Sequence, residues 1–156
     1  MTSQDKLFRI DKNGYLPQVT QIESPNYDLR SPKQTISLIV IHCISLPPNK
    51  FGNSYIEDFF KNDLDISKHT YFKKIKDLKV SSHFLIKRKG ELIQFVSCHK
   101  KAWHAGESVW RNKKNCNDFS IGIAFEGSDI IKYEDIQYKV LVKLLKSLRM
   151  KYPVTD

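Results

Sequence analysis

Residues 35–41, TISLIVI, decide the fold class of this chain. Apolar β-branched residues dominate this run, which predicts a strand buried on both faces of a sheet. We expect the strand to end at His42, because Pro47 and Pro48 follow soon after it. Proline cannot sit inside a central ladder, so the chain must leave the sheet at this point.

Strand and helix patterns alternate through the rest of the chain. Residues 53–61 carry apolar side chains at helical spacing, and residues 80–87 and 91–96 are two strand-like runs around a glycine bend. Residues 119–125, FSIGIAF, predict another buried strand, and residues 134–150 repeat apolar side chains as an amphipathic helix does. The pattern predicts an α/β fold with a mixed central sheet flanked by helices.

The length and composition are those of one globular domain. The chain has 156 residues, of which 40% are hydrophobic and 28% charged, enough to bury a core without disulfides. We expect a single domain over residues 1–156, with residues 1–23 as an N-terminal extension. Residues 1–34 and 107–118 are polar and are expected to be irregular.

The location is expected to be cytoplasmic. The N-terminus lacks the basic segment followed by an apolar stretch that marks a secretory signal, so no such signal is visible. No apolar run approaches the ~20 residues that a membrane span needs. Three scattered cysteines, Cys43, Cys98 and Cys116, are typical of reduced thiols rather than a disulfide framework.

The charge is strongly positive, with 26 Lys+Arg against 17 Asp+Glu and a net charge of +9. Such a charge is compatible with nucleic acid, anionic lipid, an acidic ligand or a solvated lysine surface. Arginine, the residue preferred for phosphate and guanine recognition, is scarce, and no DNA-binding motif accompanies the charge. We therefore expect neither a nucleic-acid nor a membrane partner.

Two histidines lie in or next to the predicted strands. His42 ends the first strand, at the edge where open α/β sheets build their sites, so it could bind a metal, act as a base, or simply bond a backbone carbonyl. His83 shares a strand face with Ser81 and Leu85, where it could form the floor of a site or be a satisfied core histidine.

A third histidine, His104, stands in the loop Trp-His-Ala-Gly at residues 103–106. There Trp103 offers a stacking face and His104 a polar edge, a combination that suits a ligand pocket. His69 and His99 lie in lysine-rich surroundings and are expected on the surface. No serine or cysteine has the context of an activated nucleophile, so covalent catalysis has little support.

Four motifs resemble, in the same order, the zinc amidases of bacterial cell-wall recycling. The closest resemblance is to the AmpD-type 1,6-anhydro-N-acetylmuramoyl-L-alanine amidases, and it runs from about residue 24 to about residue 153. The motifs are VIHCISLPP at residues 40–48, VSSH at 80–83, KAWHAG at 101–106 and CNDFSIGI at 116–123.

The resemblance implies a fold like that of peptidoglycan-recognition proteins, with a zinc-bearing groove beside a mixed sheet. It implies hydrolysis of the amide between the lactyl group of anhydro-N-acetylmuramic acid and L-alanine, acting on anhydromuropeptides in the cytoplasm. Three protein ligands would leave one zinc position for water, with a nearby carboxylate as general base. We expect the protein to be a monomer.

The resemblance assigns His42 as the first zinc ligand. It places the other two ligands, a histidine and an aspartate, in a segment expected beyond Asp156 and therefore absent from these 156 residues. The general-base position is occupied by Ala124. Glu126 is a possible substitute, on the same strand face but displaced by roughly 7 Å along the strand.

The resemblance also implies a set of substrate contacts and leaves two functions open. His83 is expected to be a structural or supporting residue. The chain is either a zinc amidase or a truncated, catalytically inactive muropeptide-binding relative, and we expect no turnover from the unmodified 156 residues. The expected substrate-binding residues are Cys43, Lys79, Trp103, His104, Asn115 and Asn117.

Overall fold

The computed structural model describes residues 6–156. It contains nine strands and three α-helices in this range, together with a short 3-10 helix at Cys116–Asp118. The α-helices are α1 (Tyr55–Phe60), α2 (Phe72–Ile75) and α3 (Asp135–Lys151). The strands are β1 (Thr20–Gln21), β2 (Tyr27–Leu29), β3 (Leu38–Ile44), β4 (Phe84–Ile86), β5 (Leu92–Gln94), β6 (Lys100–Ala102), β7 (Val109–Trp110), β8 (Lys113–Lys114) and β9 (Ser120–Glu126).

Five of the strands form a central sheet in the order β1-β5-β4-β9-β3. Strand β9 pairs in parallel with both β3 and β4, whereas β4 and β5 are antiparallel. The sheet is therefore mixed and carries helices, which confirms the predicted α/β class. Strands β2 and β6 form one small ribbon, and β7 and β8 form another.

Alternation along β9 divides the core into two layers. Ile121, Ile123 and Phe125 face α3 and pack with its buried leucines, including Leu144 and Leu148. The opposite face carries Ala124, which packs with residues of α1 and α2 such as Ile56 and Phe72. This second face also carries the polar residues of the candidate site.

Helix α3 confirms the clearest helix prediction. Glu134 and Gln137 form a reciprocal capping box at its start. Arg149 and Lys151 lie in its last turn, where their positive charges interact favourably with the negative end of the helix dipole. Helix α1 confirms the prediction for residues 53–61, and the β4–β5 pair confirms the predicted hairpin.

The prediction that residues 35–41 form a strand buried on both faces is wrong in two respects. Strand β3 begins at Leu38 and continues past His42 to Ile44, so the histidine lies within the strand. It is also the edge strand of the sheet, and Ile41 is 46% exposed. A run of β-branched residues has the same appearance at an edge as in the centre, because tertiary packing decides which face is covered.

Two segments expected to be irregular contain regular structure. In the N-terminal region, Leu16 is fully buried and β1 extends the central sheet alongside β5. In residues 107–118, β7 and β8 form a hairpin whose two loop residues, Arg111 and Asn112, both have positive φ (45° and 64°). Asparagine tolerates this conformation, but Arg-Asn is an uncommon pair for such a turn, so the hairpin was not predicted. Across residues 6–156, no helix is long and apolar enough to cross a membrane.

Candidate functional site

Three histidine rings form a row over the face of β9 that carries Ala124. The ring centroids of His42 and His104 are 5.0 Å apart, and those of His104 and His83 are 5.9 Å apart. The ring of His104 lies directly over Gly122, where a Cβ atom would overlap it. The loop of residues 103–106 can therefore insert its histidine into the row only because β9 has a glycine at this position.

His83, at the inner end of the row, is fully buried and has both ring nitrogens occupied. Gly122 N–H donates to Nδ1 at 3.0 Å, and Nε2 lies 2.8 Å from the carbonyl oxygen of Lys100, to which it donates. Burial holds the pKa of His83 well below its ordinary value, so the ring is neutral. Its contacts are those of a structural histidine.

His104 occupies the middle of the row, and both of its ring nitrogens are also in contact with protein atoms. Nδ1 lies 2.8 Å from His42 Nε2, and Nε2 lies 3.0 Å from Ser120 Oγ. Burial, followed by the proximity of His42 and Arg30, lowers the pKa of His104 to about 3. The expectation that His104 offers a polar edge to the substrate is wrong, since that edge is used inside the protein.

His42, at the outer end, is the one member of the row with an unused nitrogen. It is partly exposed, Nε2 contacts His104, and Nδ1 has no hydrogen-bond partner within residues 6–156. Burial lowers the pKa of His42 as well, so the ring is neutral near pH 7. An imidazole with one supported nitrogen and one free nitrogen can accept a hydrogen bond from a ligand or coordinate a metal.

The resemblance places the general base at Ala124, and Glu126 is the possible substitute. Ala124 is paired with His42 across the sheet, and its methyl group is 2% exposed within the apolar cluster. Glu126 is fully buried, and its two carboxylate oxygens accept hydrogen bonds from Gly52 N–H (2.9 Å) and Arg88 N–H (2.8 Å). The expectation that Glu126 could replace the base is wrong, because both of its oxygens hold loops together and neither reaches solvent.

A catalytic zinc needs about three protein ligands and an open position. Within residues 6–156, no group of three histidine, cysteine, aspartate or glutamate side chains is arranged to hold a metal ion. His42 is a suitable ligand, but its nearest neighbour, His104, has both nitrogens engaged. The donors of the described residues therefore do not fit a complete catalytic zinc site.

The loop beside the histidine row is held in place by two polar side chains. Asn117 Oδ1 accepts hydrogen bonds from the backbone N–H groups of His104 (3.2 Å) and Ala105 (2.9 Å). Trp103 Nε1 donates to Asp28 Oδ2 at 2.8 Å, which orients the indole at the surface. Trp103 and Asn117 thus lie next to His104, the neighbour of His42, while Asn115 is exposed with a φ of 60° at the start of the 3-10 helix.

Two predicted contact residues lie away from the row. Cys43 follows His42 in β3, so its side chain is on the opposite face, where its thiol contacts the Tyr133 hydroxyl group. Lys79 is exposed beside a separate hollow of about 160 Å³ lined by Phe59 and Leu64. Strand alternation therefore contradicts the assignment of Cys43 to this site, and the structure does not bring Lys79 to it.

Two further residues support the row, and neither role was predicted from the sequence. One is Ser120, whose hydroxyl group contacts His104. The other is Arg30, whose partly buried guanidinium donates to four backbone carbonyls, those of Cys98, Asn117, Asp118 and Ser120, at 2.6–3.1 Å. Burial lowers the pKa of Arg30 to about 10. Ser120 lies within the CNDFSIGI motif, which does not show this contact, and Arg30 lies outside the four motifs, because both roles depend on contacts between distant segments.

A further hollow lies away from the histidine row. It has a volume of about 370 Å³ and is lined mainly by apolar residues of β3, α3 and the last residues of the chain, among them Ile41, Val142 and Val154. Ile41 points to the opposite side of β3 from His42. This hollow is therefore separate from the histidine row.

The fold and the histidine row match those of a known family. A family model described as N-acetylmuramoyl-L-alanine amidase matches residues 32–156. This chain belongs to that family. The family is one of zinc amidases, and its model covers the whole histidine row as well as β3, β9 and α3. Membership confirms the resemblance and the enzyme class.

Several curated relatives carry a more specific name. The chain is 44% identical over 140 residues to the 1,6-anhydro-N-acetylmuramyl-L-alanine amidase AmpD of Citrobacter freundii, in a match that covers 90% of this chain and 75% of the relative. A crystal structure of a selenomethionine AmpD derivative superposes with a TM-score of 0.90 at 43% identity, covering 93% of this chain and 80% of that one. The fold and the relation to peptidoglycan-recycling amidases are thus confirmed.

A more distant structure of the same class contains a ligand. It is AmiD of E. coli in complex with the substrate anhydro-N-acetylmuramic acid-L-Ala-D-gamma-Glu-L-Lys. The match has a TM-score of 0.50 at 27% identity and covers 94% of this chain and 53% of that one.

Proposed function

We propose that this chain binds 1,6-anhydro-N-acetylmuramoyl peptides at the surface around His42 and cleaves their lactyl–L-alanine amide. The proposal includes a cytoplasmic location, a monomeric state, and a single amidase-like domain over residues 1–156 with residues 1–23 as an N-terminal extension. The observation that carries it is the 44% identity to AmpD over 90% of the chain, combined with a free His42 nitrogen beside the Trp103 loop. AmiD, a relative at 27% identity, binds a ligand of this chemistry.

The described residues supply groups suited to such a ligand. The Trp103 indole, oriented by Asp28, is an apolar face on which a sugar ring can stack. The stem peptide is anionic, and the nearby hairpin carries the exposed Lys113 and Lys114. The net charge of +9 favours the approach of such a ligand, an effect that should weaken with salt.

Binding without hydrolysis is the second candidate function, and Ala124 favours it. The methyl group of Ala124 cannot take a proton, and it stands next to His42 in the sheet. The loss of one general base costs about 10²–10⁴ in rate. The residue at position 124 is therefore the observation that favours recognition of the muropeptide without hydrolysis.

One set of measurements separates the two functions. Binding of anhydro-N-acetylmuramoyl-tripeptide would be measured by calorimetry, and release of the L-alanyl peptide by chromatography, with and without added Zn²⁺. We expect binding by the wild type and at least a tenfold loss for Trp103→Ala. Equal affinities for the two proteins would contradict the proposed binding surface.

The hydrolysis assay decides between the functions. Zinc-dependent peptide release by the wild type supports the amidase, whereas binding that persists without zinc and without release supports recognition alone. Ala124→Glu tests the missing base, with Ala124→Gln as the control of equal size and no charge. If the base is what limits the amidase, we expect the glutamate variant alone to release peptide faster, by about 10²–10⁴-fold.

A further inference from the structure

The ribbon of β2 and β6 leads directly into the 103–106 loop and presents a polar face beside the indole. Asp28 of β2 is paired with Lys101 of β6, so both side chains lie on the same face of the ribbon. Trp103 follows β6, and its indole reaches this face, where Nε1–H donates to Asp28 Oδ2 at 2.8 Å. We call the surface formed by Asp28, Lys101, Trp103 and Asp118 the ribbon face.

Asp28 has one carboxylate oxygen left over. Its Oδ2 accepts from the indole, whereas its Oδ1 has no hydrogen-bond partner within residues 6–156, and the side chain is exposed. A carboxylate oxygen accepts hydrogen bonds and does not donate them. The ribbon face therefore presents an unused acceptor directly beside the aromatic face of Trp103.

The lysine opposite Asp28 does not use this acceptor. Lys101 Nζ donates to Asp118 Oδ1 at 3.0 Å, so the ammonium group that faces Asp28 across the ribbon is bound by another carboxylate. The ribbon face thus carries two carboxylates and one ammonium group. It is a locally acidic surface in a chain whose net charge is +9.

The two halves of an anhydromuropeptide differ in the chemistry that such a surface selects. The anhydro sugar is neutral, and its hydroxyl and acetamido N–H groups are hydrogen-bond donors, whereas the stem peptide carries carboxylates. Carboxylates of the protein favour the donors and repel the charged half of the ligand. The β7–β8 hairpin, which the chain enters after the 103–106 loop, carries the exposed Lys113 and Lys114 and has the opposite preference.

We infer that the ribbon face is the subsite for the anhydro sugar and that Asp28 is a specificity-determining residue there. Its Oδ2 fixes the indole as a platform for the sugar ring, and its Oδ1 accepts a hydrogen bond from a hydroxyl or acetamido group. The inference rests on the proposed function and adds the orientation of the ligand. The sugar lies over the ribbon face, and the stem peptide points towards the hairpin.

Comparing two ligands isolates the contribution of the sugar. Calorimetry with zinc removed would measure the affinity for anhydro-N-acetylmuramoyl-L-Ala-D-γ-Glu-L-Lys and for the free tripeptide. We expect the wild type to bind the sugar-bearing ligand tighter by about tenfold or more. Equal affinities for the two ligands would overturn the inference and leave the proposed function standing. Binding of neither ligand would contradict the proposed function and the inference with it.

Asp28→Asn separates the two oxygens of the carboxylate. The amide has the same size, and its oxygen can still accept from Trp103, but an NH₂ group then replaces Oδ1. We expect the affinity for the sugar-bearing ligand to fall by about tenfold, while the affinity for the free tripeptide stays as in the wild type. An unchanged ratio of the two affinities would overturn the inference. A loss confined to the tripeptide would place the stem peptide on the ribbon face and would overturn it as well.

The positioning of the indole has a readout that needs no ligand. The chain has two tryptophans, so Trp110→Phe leaves one indole N–H signal in a proton–nitrogen correlation spectrum, that of Trp103. In this background we expect Asp28→Asn to keep the signal near its original position and Asp28→Ala to shift it towards that of a solvated indole. A signal that stays in place in the alanine variant would show that Asp28 does not fix the indole.

Asp129→Asn is the matched control, because Asp129 is an exposed carboxylate in the loop before α3 and the substitution changes the net charge by the same amount. We expect it to leave both affinities and their ratio as in the wild type. If it weakened binding of the sugar-bearing ligand as much as Asp28→Asn, the effect would come from net charge, and the assignment of Asp28 would be wrong.

Discussion

Two polar clusters lie on the same face of β9 and differ in whether their hydrogen bonds are complete. At the C-terminal end of the strand, both oxygens of Glu126 are bonded to Gly52 and Arg88, and the side chain is fully buried. Towards the other end, the histidine row finishes at His42, which is partly exposed and keeps one nitrogen free. The first cluster holds two loops of the fold together, whereas the second leaves one ring nitrogen of His42 available for a ligand.

The comparison shows which polar residues of an amidase fold are available for chemistry. A buried polar group is normally bonded to completion, because an unmade bond costs free energy and folding selects against it. A free nitrogen at the end of an otherwise complete series is therefore the informative feature. Substitutions in and around the two clusters test this difference, from the largest expected effect to the smallest.

Glu126→Ala is expected to have the largest effect, on stability. Each hydrogen bond to a charged group contributes about 1.5–3 kcal/mol, and this substitution leaves two buried N–H groups unpaired. We expect the free energy of unfolding in urea to fall by about 3–5 kcal/mol. Glu126→Gln, which keeps one acceptor oxygen, should lose less. An unchanged denaturation midpoint for the alanine variant would remove the distinction between the two clusters.

The histidine row should make stability depend on pH. The pKa of His104 is about 3 in the folded state but near its ordinary value in the unfolded chain, so the unfolded state binds more protons between these values. The contribution of His104 to the free energy of unfolding is then fully present above the pKa of the unfolded state, and it falls as the pH decreases below that value. Between pH 7 and pH 5 we expect His104 to account for a loss of about 2 kcal/mol.

Urea denaturation at the two pH values measures this loss. His104→Asn should show a shallower decrease than the wild type, by about the amount attributed to His104. His99→Asn, at an exposed histidine, is the control and should follow the wild type. A variant at position 104 that loses as much stability as the wild type would mean that the ring is not held neutral by burial.

Asn117→Ala is expected to have a smaller effect, because it removes one acceptor shared by two partly buried N–H groups. We expect a loss of about 1–2 kcal/mol in unfolding free energy, together with weaker muropeptide binding as the 103–106 loop loosens. Asn117→Asp retains the acceptor oxygen and should behave like the wild type in both assays. Equal losses for the two variants would rule out the acceptor as the cause.

Cys43→Ser should have the smallest effect. The side chain is exposed and lies on the opposite face of β3 from His42. We expect a change in unfolding free energy below about 0.5 kcal/mol and an unchanged dissociation constant for the muropeptide. A clear loss of binding would place Cys43 in the site after all and would contradict the division between the two faces of β3.

The sequence was informative where local pattern and tertiary environment agree. The amphipathic repeat of residues 134–150 predicted α3 because that helix buries one face, as its pattern requires. The same reasoning misjudged β3, since an apolar run does not show that a strand lies at an edge. The β7–β8 hairpin was missed because its turn uses Arg111 and Asn112 rather than a common turn pair.

Within the candidate site, the motifs located His42 and the Trp103 loop, but not how their atoms are used. His104 was expected to meet the substrate, and the structure turns it inwards between His42 and Ser120. Glu126 was considered as a base, although its oxygens are already bonded. Motifs identify residue types, whereas hydrogen-bond completion depends on partners that are distant in the chain.

By itself, the sequence determined the α/β class, the amidase family and the absence of a carboxylate at Ala124, because these depend on periodicity, motif order and residue identity. Only the tertiary structure decided that β3 is an edge strand, that Cys43 and His42 face opposite sides, and which nitrogen of His42 is free. Those properties arise from packing between segments far apart in the chain, such as the contact of the 103–106 loop with Gly122. No local pattern encodes such contacts, since each is defined by two surfaces that meet only after folding.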